Sequence, residues 1–300
     1  MLRRPGAGQG LRGIISLRGP ARLLVAAAAL LAVTPAQAQQ AGDAPAPADP
    51  DNVRIFVVGA VTPAYVGAAD YTLVPAAQVR GTIDGFNFET FGTAFDVDLV
   101  RDNGRSIDLQ FGPVIGVNLD RTDHLDGKRD APINALGKRK TAVEIGAFAG
   151  IAKTGVITSA YDQLSFTVSW QKDVAGAHGS YIITPSLEYG TPLSKRTYLD
   201  LTLSADIVGD KYAAYYFDVS PAGSRASGLP AFTAKGGLQD VGIVLTALQS
   251  LSGDLRRGWS IVAMGGFTQL LGDAKRSPVV AITGRSGQWT GALGLSYVFK

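Results

Sequence analysis

The 300-residue chain carries 28 Lys and Arg against 25 Asp and Glu, 37 glycines, no cysteine, and a mean hydropathy of +0.14. Without cysteine there are no disulfides, thiol nucleophiles or Cys-based metal centres. After residue 38 no run of eighteen apolar residues occurs, so helical membrane spans are excluded.

The N-terminus has the layout of a secretory signal peptide, residues 1–38. Arg3, Arg4, Arg12, Arg18 and Arg22 form a basic stretch without an acid, and the apolar run Leu23–Val33 is too short to span a bilayer. Ala36-Gln37-Ala38 supplies the A-x-A cleavage site. An N-terminal membrane anchor is the competing interpretation, but no stop-transfer run follows. Removal after Ala38 leaves 23 basic and 25 acidic residues, a net charge of −2, so the basic pI belongs to the precursor. No charge argument for a nucleic-acid partner survives. Residues 39–52 (QQAGDAPAPADPDN) read as a disordered periplasmic linker.

From Val53 onward the chain reads as strand after strand, with no sustained helical period. The expected strands are 53–62, 72–80, 83–90, 93–101, 106–119, 141–152, 160–171, 179–190, 196–207, 237–250, 258–270 and 287–299. Several alternate cleanly. Phe95, Val97 and Leu99 oppose Asp96 and Asp98; Leu164, Phe166, Val168 and Trp170 oppose Ser165, Thr167, Ser169 and Gln171. Leu199, Leu201, Leu203 and Ile207 oppose Asp200, Thr202, Ser204 and Asp206. In the closing strand Trp289, Leu293, Leu295, Tyr297 and Phe299 share one face, with small and polar residues on the other. The first strand and 72–90 are less regular.

Alternation by itself also suits a soluble β-sandwich. Two features favour a transmembrane antiparallel β-barrel of about twelve strands, residues 53–300. Trp170, Trp289, Tyr297 and Phe299 lie towards the ends of apolar faces, where an aromatic girdle meets the lipid headgroups. Connections also alternate between long (120–140, 208–236, 271–286) and short (102–104, 191–195, 251–257). An even strand count places both ends of the barrel on the short-turn, periplasmic side. Outer-membrane lipid and lipopolysaccharide are then the expected surroundings.

Candidate sites are few. His124 and His178 both fall in loops, without metal-ligand spacing. His178 with Ser180 is the one proximate His–Ser pair, and it reads as a turn histidine rather than a catalytic one. Asp96, Asp98, Asp108, Glu144, Glu188, Asp200 and Asp206 all fall on polar, lumen-facing positions. They suit either a cation-favouring lumen or internal pairing that stitches the barrel together. The loop aromatics Tyr212, Tyr215, Tyr216, Phe217 and Phe232 suit a cap or an interface. Lys128, Arg129, Lys138, Arg139 and Lys140 form a basic run in an outer loop, either solvated or in contact with lipopolysaccharide.

Several segments are similar to one family. Trp170–Gly179 (WQKDVAGAHG) resembles the D-x-x-G-G-H-G stretch of the MipA/OmpV family, the MltA-interacting outer-membrane proteins. So do Tyr215–Ala222 (YYFDVSPA), Ser227–Phe232 (SGLPAF), Gly237–Gly242 (GLQDVG) and Leu270–Ala274 (LLGDA) with Ser277-Pro278. Pro63–Gly67, Asp70-Tyr71 and Phe111-Gly112-Pro113 match upstream, and the resemblance spans most of 53–299. Ala68-Ala69 departs from the family's small polar residue before Asp70. Lys300 departs from its usual terminal aromatic, and its deletion is expected to leave insertion unchanged or improved. The resemblance implies a non-enzymatic scaffold without cofactor that assembles murein-remodelling enzymes, such as a lytic transglycosylase with a murein synthase. A small-solute or cation channel, and a surface adhesin acting through the outer loops, are the alternatives.

Overall fold

The computed structural model describes residues 51–102, 106–122 and 131–299. The signal peptide, most of the linker, His124, Lys128, Arg129 and Lys300 lie outside them. Twelve strands form one closed antiparallel barrel: β1 (Asn52–Pro63), β2 (Tyr71–Ile83), β3 (Phe86–Phe91), β4 (Ala94–Val97), β5 (Ile107–Asn118), β6 (Ala142–Thr154), β7 (Gln163–Asp173), β8 (Tyr181–Pro192), β9 (Thr197–Val208), β10 (Gly237–Ser250), β11 (Gly258–Leu270) and β12 (Gly287–Phe299). Closure leaves every strand a partner on both sides, the condition for a sheet in lipid. The closing ladder runs from Val53 opposite Phe299 to Val61 opposite Gly291. Among the described residues, five short helices lie in the long loops: α1 (Ala131–Ala135), α2 (Asp210–Phe217), α3 (Pro221–Ser227), α4 (Gly272–Arg276) and α5 (Pro278–Ala281). No described helix is long and apolar enough to cross a membrane, which says nothing of the strands.

Period-two patterning becomes an inside and an outside. On β5 the residues from Ile107 to Gly116 alternate exposed and buried without a break. Outward Val57, Leu109, Leu293 and Leu295 are exposed and form an apolar belt. Trp289 packs on Phe267 at its upper margin, and Trp259, Tyr297 and Phe299 stack at its lower margin. Ten residues separate Trp289 from Phe299 along β12. At ~3.3 Å per residue and a tilt near ~40°, that is a belt of roughly 25 Å, a hydrocarbon thickness.

The structure revises the early strands. The expected strand at 83–90 begins instead after a hairpin turn at Asp84-Gly85, where both residues have positive φ (52° and 79°). An Asp-Gly pair is the sequence signal for such a turn. The expected strand at 93–101 shrinks to Ala94–Val97. Its ladder with β5 ends at Asp96 opposite Val114, and the next residue on β5 is Pro113, which has no N–H to give. The linker yields its last residue, Asn52, to β1. β1 lacks alternation because both its faces are apolar: Ile55 and Val57 face out while Phe56, Val58 and Ala60 face the lumen.

Candidate functional site

The long loops build a roof with its own core. Tyr212, Tyr216 and Phe217 of α2 pack with Val66, Leu270, Ala274 and Val280. Ile133 of α1, Val219, Leu229 and Val279 pack beneath Ala64, Tyr65 and Ala68. Gly67 makes this possible: its φ is +90°, and a Cβ there would run into Val280. Of the loop aromatics expected to form a cap or an interface, Tyr212, Tyr216 and Phe217 are at 3% exposed or less. Tyr215 and Phe232 are partly buried against the same core.

The segments that looked family-like turn out to be roof hardware. Asp173 accepts backbone N–H groups from Ala175 (2.9 Å), His178 (2.8 Å) and Gly179 (2.8 Å), bending the β7–β8 loop. His178 is thereby fixed, with Nδ1 accepting from the Ser180 N–H at 3.1 Å. That assigns the ring hydrogen to Nε2, which donates to Glu144 Oε1 at 3.1 Å. The ring meets Tyr212 edge-on at 4.9 Å. Ser220 caps α3 and Ser277 caps α5, each followed by proline at the first helical position. Ser277 Oγ also donates to the Phe217 carbonyl at 2.6 Å, tying α5 to α2. Asp218 accepts from Ala234 N and Asp273 from Lys235 N, closing the 209–236 loop. Arg139 of the basic run donates to the Tyr215 carbonyl at 2.6 Å and stacks over its ring, so it belongs to the roof, while Lys138 and Lys140 stay exposed.

Below the roof lies a cavity of about 530 Å³. Asp96, Glu144, Glu188 and Asp206 line it, joined by Glu89, Asp120 and Asp240. None of the described residues lining the cavity is Lys or Arg, while Glu89 pairs with Arg80 at 3.8 Å. Local donors hold several of them: Thr184 Oγ1 bonds Asp206 at 2.7 Å, Gln239 Nε2 bonds Asp240 at 2.9 Å, and Val66 N bonds Asp120 at 2.7 Å. The remaining predicted acids do other work. Asp98 accepts from Val100 N and Phe111 N and ends β4, Asp200 accepts from Thr202, and Asp108 is a buried inward residue of β5. Of the aromatics assigned to the membrane surface, Trp170, Trp289 and Phe299 are outward and exposed, and Tyr297 is outward and half-buried.

The lower half of the lumen is filled. Phe56, Val58, Leu248, Val262 and Met264 form an apolar plug, flanked by Tyr198 and Leu255. Every strand except β4 has an inward residue no more than 9% exposed, such as Arg80, Glu89, Asp108, Ser165, Glu188, Asp200 and Ser296. Arg54 donates to the Leu255 carbonyl, and Arg80 sits 3.8 Å from Glu89. The sequence reading missed these basic residues, together with Glu89, whose alternation in Phe86–Phe91 marked it as inward. No group of His, Cys, Asp or Glu among the described residues is arranged to hold a metal.

A model of the MltA-interacting protein MipA family matches residues 55–299. The chain belongs to that family. No curated protein matches significantly. Among solved structures, the COG4313 outer membrane channel from Pseudomonas putida F1 is similar at 14% identity and a TM-score of 0.43, over 86% of this chain and 100% of that one. An anion-selective porin from Comamonas acidovorans is similar at 13% and 0.35, over 74% of this chain, which spans 59% of the porin's length. A Pseudomonas aeruginosa FadL homologue is similar at 10% and 0.32, over 83% and 90%. The fold is an outer-membrane-type barrel.

Proposed function

We propose that this MipA-family barrel is a non-enzymatic outer-membrane scaffold, exported by its signal peptide, that holds murein-remodelling enzymes, a lytic transglycosylase and a murein synthase, at its periplasmic face. The carrying observation is the interior: a roof with its own core above and a packed plug below suit a protein whose surface, not its lumen, does the work. The family's description as MltA-interacting supplies the partner class. The short-turn end offers a docking surface. The turns 193–196 and 251–257 are fused by the bonds Leu255 N to Lys195 O and Ser250 N to Arg196 O. They present Lys195, Arg196, Arg256 and Arg257 beside exposed Leu193 and Leu251. Lys138 and Lys140 at the opposite end are the proposed contacts for lipopolysaccharide.

The experiment is retention of murein enzymes from a detergent extract by the purified full chain. Wild type is expected to retain a lytic transglycosylase, and Arg196→Glu with Arg257→Glu to lose most of it. Failure of wild type to retain any murein enzyme would overturn the proposal. The acid-lined cavity favours a second reading, a small-solute or cation channel. Steady conductance by wild type in a planar bilayer, reduced by Asp96→Asn, is the outcome that selects it.

A further inference from the structure

One wall of the cavity is a field of uncharged hydroxyls. Strand register sets them in a row: Thr167 lies opposite Ser186, Ser186 opposite Ser204, Ser204 opposite Gly242, and Gly242 opposite Thr268. The four hydroxyl residues line the cavity and are half-buried. Ser169 and Gln171 extend the same inward face of β7 above Thr167. Among the described residues Thr167, Ser169, Gln171, Ser204 and Thr268 make no hydrogen bond, and Ser186 makes a long one, 3.4 Å to the Leu203 carbonyl. Gly242 keeps the row uncovered. A Cβ there would stand 3.3 Å from Ser204 Oγ and 3.4 Å from Thr268 Oγ1, so a side chain would cap both hydroxyls.

The charged groups around this row are already engaged. Glu89 pairs with Arg80, Glu144 bonds His178, Asp206 accepts from Thr184, and Asp240 accepts from Gln239. What the cavity leaves unspent is therefore hydroxyl and amide, groups that donate and accept alike. Across the barrel the wall changes character. β2 stands six strands from β8 in the ring of twelve, and its inward Val74 and Ala76 line the same cavity with Val114 of β5. A pyranose ring has the same division: hydroxyls that donate and accept around its edge, and an apolar C–H face. No described Lys or Arg lines the cavity to hold an anion.

We propose that the cavity binds an uncharged saccharide of one or two rings. Its hydroxyls exchange hydrogen bonds with Thr167, Ser186, Ser204 and Thr268, and its C–H face rests on Val74 and Ala76. Asp206, two residues from Ser204 on the same face, accepts a further ligand hydroxyl. The volume of about 530 Å³ falls within the ~300–1,000 Å³ of small-molecule sites. The inference does not depend on the scaffold role, and binding needs no passage through the plug.

The test titrates glucose, galactose, maltose and cellobiose into the full chain and reads the heat of binding. Dimethyldodecylamine oxide is the detergent, because it carries no sugar head to compete. At least one of the four should bind with a dissociation constant of ~1 mM or tighter. Glucuronate, which adds a carboxylate, should bind at least about tenfold less well than the best neutral sugar. Thr167→Val with Thr268→Val keeps the side-chain shape and removes two hydroxyls that bond nothing in the protein. Affinity should fall at least about tenfold while heat-modifiable gel mobility reports an intact barrel. Gly242→Ala covers the row without removing a polar group and should weaken binding by a similar factor. No binding of any of the four sugars, wild-type affinity in either variant, or glucosamine bound about tenfold more tightly than every neutral sugar would each overturn the proposal.

Discussion

Replacing His178 with alanine tests whether the β7–β8 loop locks the roof to the wall. Three losses add up. The hydrogen bond from Nε2 to Glu144 at 3.1 Å involves a carboxylate, for which ~1.5–3 kcal/mol is typical. The edge-on contact with Tyr212 at 4.9 Å contributes ~0.5–1.5 kcal/mol. The Ser180 N–H, on a residue 7% exposed, loses its acceptor at a cost of ~1–3 kcal/mol. Partial relaxation brings the total to about 4 kcal/mol, falling on the roof rather than on the barrel ladders. His178→Gln keeps an amide donor near the Nε2 position and should cost about half as much. Amide hydrogen exchange of the detergent-solubilised chain reads the difference. Exchange in Tyr212–Phe217 should accelerate about a thousandfold in the alanine variant through local opening, with β9–β12 unchanged. Equal exchange in wild type and both variants, within about threefold, would falsify the lock.

Asp162 anchors the turn between β6 and β7. Burial opposes its ionisation, but hydrogen bonds from Thr158 N, Tyr189 Oη, Val156 N and Ile157 N outweigh that and hold its carboxyl well below the usual range. A depressed folded value means its stabilisation is complete above the unfolded value near ~4 and fades as pH falls below it. Asp162→Asn should therefore cost about 2 kcal/mol at neutral pH and flatten acid sensitivity below pH ~4, seen by heat-modifiable mobility across a pH series. Phe56→Ala with Met264→Ala truncates two of the plug side chains, at ~2–5 kcal/mol each, and should turn a silent barrel into a conducting one. A silent, folded double variant would show that the plug is not what closes the lumen. Gly67→Val should loosen the roof by more than about 2 kcal/mol, through left-handed strain and collision with Val280, measured as protease nicking between 209 and 236.

The alternation of polar and apolar residues determined the barrel by itself. A strand with one face in lipid must repeat every two residues, and that rule is local, so β5 to β12 were legible to within about three residues. It also placed Asp96, Glu144, Glu188 and Asp206 on the lumen side. The Asp84-Gly85 turn was missed, because the irregular flanking sequence led the expected strand 83–90 to run through this turn dipeptide. What fills the lumen could be decided only in three dimensions. Phe56 and Leu248 are nearly two hundred residues apart, and they meet because strand register and barrel closure bring β1 and β10 across one interior. The same holds for His178 with Glu144 and for the Ser277 hydroxyl on the Phe217 carbonyl, where loops without a period join through single contacts. The point where β2 stops pairing with β3, at Arg80, is likewise invisible in sequence. The end of a ladder belongs to a pair of strands, not to either one.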